Sequence, residues 1–275
     1  MCKVACRWAR VPISDSEVEE RANDFISMIY SFGKVGAMHW KGRFARNRME
    51  SWIRGIIDDV RTGKIHVEEG TVLYETAFFK NKEGQLLNLQ IAAVELLNFL
   101  RPIVAIATYI TFAALALHQY PNEREKLEAN GNDYNEMFVH EVRRFYPFGP
   151  FVGARVKETF TWKGVTFPKG MLVLLDMYGT NHDPTLWEKP NDFSPERFAT
   201  WNGSLYNFLP HGGGDPAKGH RCPGEGVTME IMKVALDYLV NKITYDIPTQ
   251  DLHFRLAEMP TLPTSGFVMC NVQKI

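Results

Sequence analysis

Asn-Phe-Leu-Pro-His-Gly-Gly-Gly-Asp-Pro-Ala-Lys-Gly-His-Arg-Cys-Pro-Gly-Glu-Gly, residues 207–226, holds one cysteine, Cys222, boxed by glycines and prolines. The apolar residues Val227, Ile231, Val234, Ala235, Tyr238 and Leu239 follow at helical spacing. They predict a buried helix starting just after Cys222. Gly212, Gly213, Gly214 and Gly219 let the preceding backbone turn freely and bare its N–H groups. A sulfur at that point meets the positive end of a helix and several backbone donors, and both stabilise negative charge on it. His220 and Arg221 add cationic or donor character beside it. Such surroundings suit a sulfur that stays ionised, as an iron ligand must. They suit a small buried cysteine in a turn equally well, and the loop alone leaves the two readings level.

Working outward, 275 residues allow one domain with a substantial core or two small ones. A 45% hydrophobic composition is ordinary for a globular chain, and a net charge of −1 gives no reason to expect nucleic acid or an acidic membrane as a partner. Four cysteines do not make a disulfide framework, which points to a reducing cytoplasm. Cys2 and Cys6, four apart, share one helical face and read as core, since no neighbouring His or Cys completes a metal site. Lys3, Arg7 and Arg10 interrupt any apolar leader. Residues 91–117 are long and apolar enough to span a bilayer. However, Glu95, Asn98 and Arg101 lie inside, and an Arg at mid-membrane costs about 2.5–3.5 kcal/mol. A buried helix is expected there, and no membrane span.

The pattern along the chain predicts helices at 15–35, 45–61, 86–118, 120–128, 133–145 and 226–242, with Asp15 or Ser16 capping the first. The basic segment 39–48 reads as a solvated connection between helices. Short strands are expected at 152–156, 159–162 and 171–175, around Lys163-Gly164 and Pro168-Lys169-Gly170 turns, and the tail 243–275 looks extended. The fold class is mainly α with a minor β part in the C-terminal half.

Two features join Cys222. Glu141 and Arg144 lie three apart on one helical face, close enough to pair. The run Pro195-Glu196-Arg197-Phe198 ends a polar, Pro-rich segment, and Arg197 is placed to complete a buried charge triad with Glu141 and Arg144. Singly, such pairs read as surface ion pairs. Their order and spacing ahead of a Cys-Pro-Gly loop are far more specific.

These three signatures, in this order, resemble the haem-thiolate cytochrome P450 superfamily over the whole chain. The resemblance implies a cytochrome P450 fold, haem b (iron protoporphyrin IX) as cofactor, and Cys222 as its axial iron ligand. It implies that His220 contacts a haem propionate and that Glu141, Arg144 and Arg197 are structural. The loop before Cys222 is longer than the usual version by Gly-Gly-Gly-Asp-Pro-Ala-Lys.

A second departure narrows the branch. Typical monooxygenases of this superfamily place an acid–alcohol pair in the long helix over the haem, for proton delivery to dioxygen. The corresponding stretch here reads Asn98-Phe99-Leu100-Arg101-Pro102-Ile103-Val104-Ala105. Pro102 cannot donate to the carbonyl of Asn98 and should bend the helix. A guanidinium at that bend is costly unless an anion meets it; the bland alternative is an Arg reaching the surface beside a tolerated kink. The Arg-Pro pair resembles the bacterial fatty-acid peroxygenases, as do residues 145–151 and 262–269.

In that group Arg101 binds the substrate carboxylate, and Pro102 fills the place of a proton-relay residue. The resemblance thus implies a peroxygenase that uses hydrogen peroxide to hydroxylate long-chain fatty acids at Cα or Cβ, or to decarboxylate them, with no reductase. The carboxylate held by Arg101 would act as general acid–base. The competing readings are a reductase-dependent monooxygenase and an inactive haem- or fatty-acid-binding fragment. The chain matches the C-terminal two-thirds of such an enzyme, a single haem-thiolate domain at 1–275 lacking the family's N-terminal region. Weak haem binding and exposed apolar surface on residues 91–117 are therefore expected.

Overall fold

A computed structural model describes residues 1–219 and 221–275, and only the backbone at 130–132. The chain divides into two compact units, Met1–Ala107 and Thr108–Ile275.

The first unit is helical: α1 (Cys2–Ala9), α2 (Val18–Tyr30), α3 (Ala37–Arg61), α4 (Val72–Phe78) and α5 (Leu89–Ala105). Cys2, Ala5, Cys6 and Ala9 make the buried face of α1, so both cysteines are core. On α3, Gly42, Ala45, Met49, Ile53, Ile56, Ile57 and Val60 form one continuous buried stripe. The segment 39–48 is therefore the first half of a 25-residue helix and not a connection. Its buried positions are glycine and alanine, which leave no hydropathy signal among so many basic residues. Gly42 lets the helix come against Ser31, the C-cap of α2, and Arg48 from α3 forks onto the buried Asp24 of α2. α4, also unforeseen, starts where the Thr71 hydroxyl accepts the Tyr74 N–H at 3.3 Å.

α5 buries Ala92, Ala93, Leu96, Leu97, Leu100, Ile103 and Val104, while Glu95, Asn98, Phe99 and Pro102 are exposed. The single helix expected at 86–118 is instead two, parted at Ile106, whose N–H bonds to Ile103 and not four residues back. Pro102 lies in the preceding turn and has no N–H to offer Asn98. Among the described residues one helical run, Leu89–Gln119, is long and apolar enough to cross a membrane. Within it, 61% of the most apolar window is buried inside the protein, as in a core helix.

The second unit contains α6 (Ala107–Gln119), α7 (Pro121–Phe145), β1 (Phe151–Arg155), β2 (Phe160–Trp162), β3 (Val165–Phe167), β4 (Leu172–Asp176), α8 (Met177–Asn181), a 3-10 turn at Pro195–Phe198, α9 (Glu225–Asn241), β5 (Ile243–Asp246) and β6 (Cys270–Lys274). The strands form antiparallel pairs, β1 with β4, β2 with β3 and β5 with β6. Lys163 (φ 47°) and Gly164 (φ 79°) make the two-residue turn between β2 and β3, where both positions need positive φ. α7 runs unbroken through 129–132, where the composition Ala-Asn-Gly-Asn had divided it into two expected helices. It packs on α9 and on the 3-10 turn. The observed class is mainly α with a minor β part.

Candidate functional site

The last turns of α7 carry Glu141, Val142, Arg143 and Arg144, all buried. Arg144 donates from Nε and Nη2 to the two oxygens of Glu141, at 2.8 Å each. Its other protons go to the carbonyls of Asn181 (2.8 Å), Pro190 (2.9 Å) and Asp192 (3.2 Å). Arg197, from the 3-10 turn, donates to Glu141 at 3.2 Å and to the carbonyls of Glu188 and Asp192. The Ser194 N–H also donates to Glu141, at 2.8 Å. The structure thus brings Glu141, Arg144 and Arg197 together, and both arginines spend their remaining donors on backbone carbonyls of 181–192. Each buried charge is paired and hydrogen-bonded, the condition for tolerating it in a core.

Arg143, adjacent in sequence, serves the cysteine loop. Its Nη2 pairs closely with Glu225 at the start of α9 and lies 3.1 Å from Nδ1 of His211. Nη1 lies 3.1 Å from Nδ1 of His140, and the guanidinium rests on the Phe208 ring at 5.1 Å. Arg221 forks onto the same Glu225 at 2.6 and 3.0 Å. Burial alone would push the Glu225 carboxyl up, but the Arg221 hydrogen bond and the Arg143 charge outweigh it and hold it at about 2. Burial, seconded by Arg143, pushes His211 down to about 3 and His140 down to about 4.

Cys222 is a free, half-exposed thiol two residues before Gly224, the N-cap of α9. Its N–H donates to the His211 carbonyl at 2.9 Å, closing the glycine-rich loop on itself. Beyond His211, the buried Tyr109 of α6 donates to the Pro210 carbonyl at 3.0 Å and stacks on the His211 ring. His220, the expected propionate contact, lies outside the described residues.

Arg101 and Pro102 belong to the first unit, near the end of α5. Arg101 is half-buried, and among the described residues no acceptor is paired with it. Burial and the nearby charge of Arg46 both lower its proton affinity. That is an environment short of an anion.

Arg143, His140, His211, Glu225 and Tyr109 were not singled out from the sequence. The doubled Arg143-Arg144 and the Glu225 three residues past Cys222 were the available signals, but neither names its partner.

The family model for Cytochrome P450 matches residues 131–270. The chain belongs to the cytochrome P450 family. Cytochrome P450 3A2 of Rattus norvegicus is 34% identical over 116 residues, which are 41% of this chain and 22% of that protein. The curated relatives are thus matched over only a fraction of their own length. Among solved structures, cytochrome P450SP alpha in complex with (R)-ibuprophen is 47% identical, with a TM-score of 0.92 over 99% of this chain and 67% of that one. Cytochrome P450EX alpha with myristic acid is 41% identical, with a TM-score of 0.91 over 100% of this chain and 66% of its own. A variant of cytochrome P450 OleT in complex with arachidonic acid gives the same identity, TM-score and coverage. This chain therefore has the cytochrome P450 fold over its whole length and spans about two thirds of those three.

Proteins of this family carry haem with thiolate-ligated iron, and the residues present fit one. Among the described residues no three His, Cys, Asp or Glu side chains cluster as a metal site. A lone soft sulfur at the positive end of α9 suits the iron of a macrocyclic cofactor, which would need only one protein ligand from this loop. Cys222 is the one described cysteine on a glycine-rich loop; Cys2 and Cys6 are core, and Cys270 opens β6.

Proposed function

We propose that this cytochrome P450 is a hydrogen-peroxide-dependent fatty-acid oxygenase, in which Cys222 would hold the haem iron and Arg101 is the carboxylate anchor. It hydroxylates long-chain fatty acids at Cα or Cβ, or decarboxylates them, without a reductase, in the cytoplasm. The observation that carries the reading is Arg101, a half-buried guanidinium on α5 with no acceptor paired to it among the described residues. The carboxylic acids held by the three similar structures support the same substrate class.

Bound haem supplies the oxidising chemistry by which RH and H2O2 become ROH and H2O, and the ligating thiolate favours O–O cleavage. The chain's residues do the rest. Arg101 offers the planar fork that matches a carboxylate, and the bond fixes the acid by its head. Fixing the head selects the carbons next to it, so Cα and Cβ are the positions oxidised. With Arg101 as its partner the carboxylate serves as general acid–base, taking a proton from hydrogen peroxide and returning it to the departing oxygen, which leaves as water. Pro102 has neither an N–H nor a polar side chain, so this turn of α5 offers no proton relay of its own. Arg143, Glu225 and His211 hold the loop from which the sulfur projects.

The test is the purified chain loaded with haem, given hydrogen peroxide and myristic acid, with no NAD(P)H or reductase. Hydroxymyristate or a shortened alkene is the expected product. Oxidation only when a reductase system is added sinks the peroxide reading. In Cys222→Ala the ferrous–CO Soret band should lose its thiolate position, and an unchanged band refutes the ligand assignment.

A further inference from the structure

We propose that Arg143 is a positioning residue for Cys222, its one buried guanidinium bracketing the cysteine loop on both sides. The inference rests on the reading of Cys222 as the iron ligand.

The bracket is built from residues distant in sequence. Nη2 of Arg143 faces two groups at once, the His211 ring on the entry side of the loop and Glu225 on the exit side. His211 holds the Cys222 N–H through its carbonyl, at 2.9 Å. Glu225 opens α9 three residues past Cys222. The guanidinium therefore touches the residue that pins the cysteine backbone and the residue that starts the helix behind it.

The chemistry of the contacts is constrained. Arginine has only donors, so Nδ1 of His211 and Nδ1 of His140 must both accept, and each ring carries its proton on Nε2. Three acceptors thus converge on the two terminal nitrogens of one guanidinium: His140, His211 and Glu225. A guanidinium satisfies that arrangement, and the point charge of a lysine does not. Burial makes the arrangement stiff, since Arg143 is 1% exposed and sits on the Phe208 face.

The two arms are not equivalent. Glu225 keeps a second partner in the fork from Arg221, so the exit side stays charged and held when Arg143 is lost. On the entry side, Tyr109 still grips Pro210 and stacks on the imidazole at 5.4 Å, but the ring loses the partner of its Nδ1. Loss of Arg143 therefore frees the entry side selectively, and with it the carbonyl that fixes the Cys222 N–H. A sulfur displaced by a fraction of an ångström ligates iron more weakly.

The experiment compares the haem-loaded parent chain with Arg143→Lys and His211→Ala by ferrous–CO absorption, electron paramagnetic resonance of the ferric state, and far-ultraviolet circular dichroism. The expected result is a folded Arg143→Lys protein with a second Soret band at the shorter wavelength of a neutral ligand, and a smaller second band in His211→Ala. A merely structural Arg143 lowers the urea midpoint and leaves the parent's single thiolate band and resonance signature; that result overturns the inference. If Arg143→Lys does not fold, His211→Ala decides, because it leaves the Arg143–Glu225 pair intact, and a single unaltered band overturns the inference equally. A parent chain with bound haem but no thiolate band overturns the Cys222 reading and this one with it. A thiolate band in the parent with unaltered variants removes this inference alone.

Discussion

Glu141 and Arg144, one turn apart on α7, meet through two parallel hydrogen bonds of 2.8 Å with neither side chain exposed to solvent. The pair is a hub for the chain from Asn181 to Arg197, because every remaining donor on Arg144 is spent on a carbonyl there. Its value to the protein is therefore tested by removing one partner, not both.

Arg144→Met leaves the Glu141 carboxylate buried with only Arg197 and the Ser194 N–H, orphans the carbonyls of Asn181 and Pro190, and leaves that of Asp192 to Arg197 alone. The expected loss is about 3–5 kcal/mol, read as a lower urea midpoint. Arg144→Lys should recover little of it, since an ammonium cannot reproduce the fork. A midpoint unchanged in Arg144→Met would show that the hub contributes nothing to stability.

Gly42→Ala tests the close approach of α2 and α3. A Cβ at Gly42 would lie 1.7 Å from the Ser31 hydroxyl oxygen and 2.5 Å from its Cβ. Overpacking costs about 1–3 kcal/mol, against roughly 1 kcal/mol gained in helix propensity, so the single substitution should destabilise. In a Ser31→Gly background only the Ser27 carbonyl, 3.2 Å from that Cβ, remains close, so the same change should cost much less. Thermal melts of the four proteins of this cycle would expose the difference, and additive effects would contradict the packing.

His140 should impose a pH dependence. Burial first, then the Arg143 charge, with Lys233 and Arg221 adding and Glu225 opposing, pushes it down to about 4. The unfolded chain takes its proton near the ordinary value of about 6.5 while the folded one does not. Stability is therefore full above that value and falls as pH drops from about 6.5 toward 4. His140→Gln removes the titration, so urea midpoints measured from pH 7 to pH 4 should fall less steeply. Equal slopes in parent and variant would contradict a neutral, buried imidazole.

For the proposed activity, Arg101→Gln should lower kcat/KM for free fatty acids by about 10²-fold, the size of a lost charged hydrogen-bond pair. The ferrous–CO spectrum should not change, because Arg101 is assigned to the substrate and not to the iron. Product analysis under saturating peroxide checks it, and undiminished turnover removes Arg101 from the substrate site.

Much of the architecture was legible in the residues themselves. The helices at α2, α5, α6 and α9 follow apolar repeats, and β1, β2 and β4 follow β-rich runs around Lys-Gly and Pro-Lys-Gly turns, while β3, three residues long between those turns, is not expected from the pattern. The errors lie where the local signal opposes the tertiary one. Lys41, Arg43, Arg46 and Arg48 make residues 39–48 look solvated, yet Gly42 and Ala45 are buried against neighbours that the local composition does not reveal. Asn130, Gly131 and Asn132 look like a break, yet α7 continues through them because packing on both sides outweighs a weak propensity. Pro102 predicts a bend in its own turn, and the helical ladder breaks one turn later, at Ile106.

The family motifs are readable along the chain alone: Cys222 between glycines ahead of a helix, Glu141 and Arg144 at helical spacing, Arg197 in its Pro-rich run, and the Arg101-Pro102 pair. Each is a local pattern, complete within a few residues, so composition and spacing suffice to recognise it. Which arginine serves which carboxylate is set by the three-dimensional packing. Arg143 and Arg144 are neighbours with the same chemistry, and one turns to Glu141 three residues away while the other reaches His211 and Glu225, separated from it by 68 and 82 residues. Burial forces each charge to find its partners in space, and a linear pattern carries no record of which partners the fold brings near.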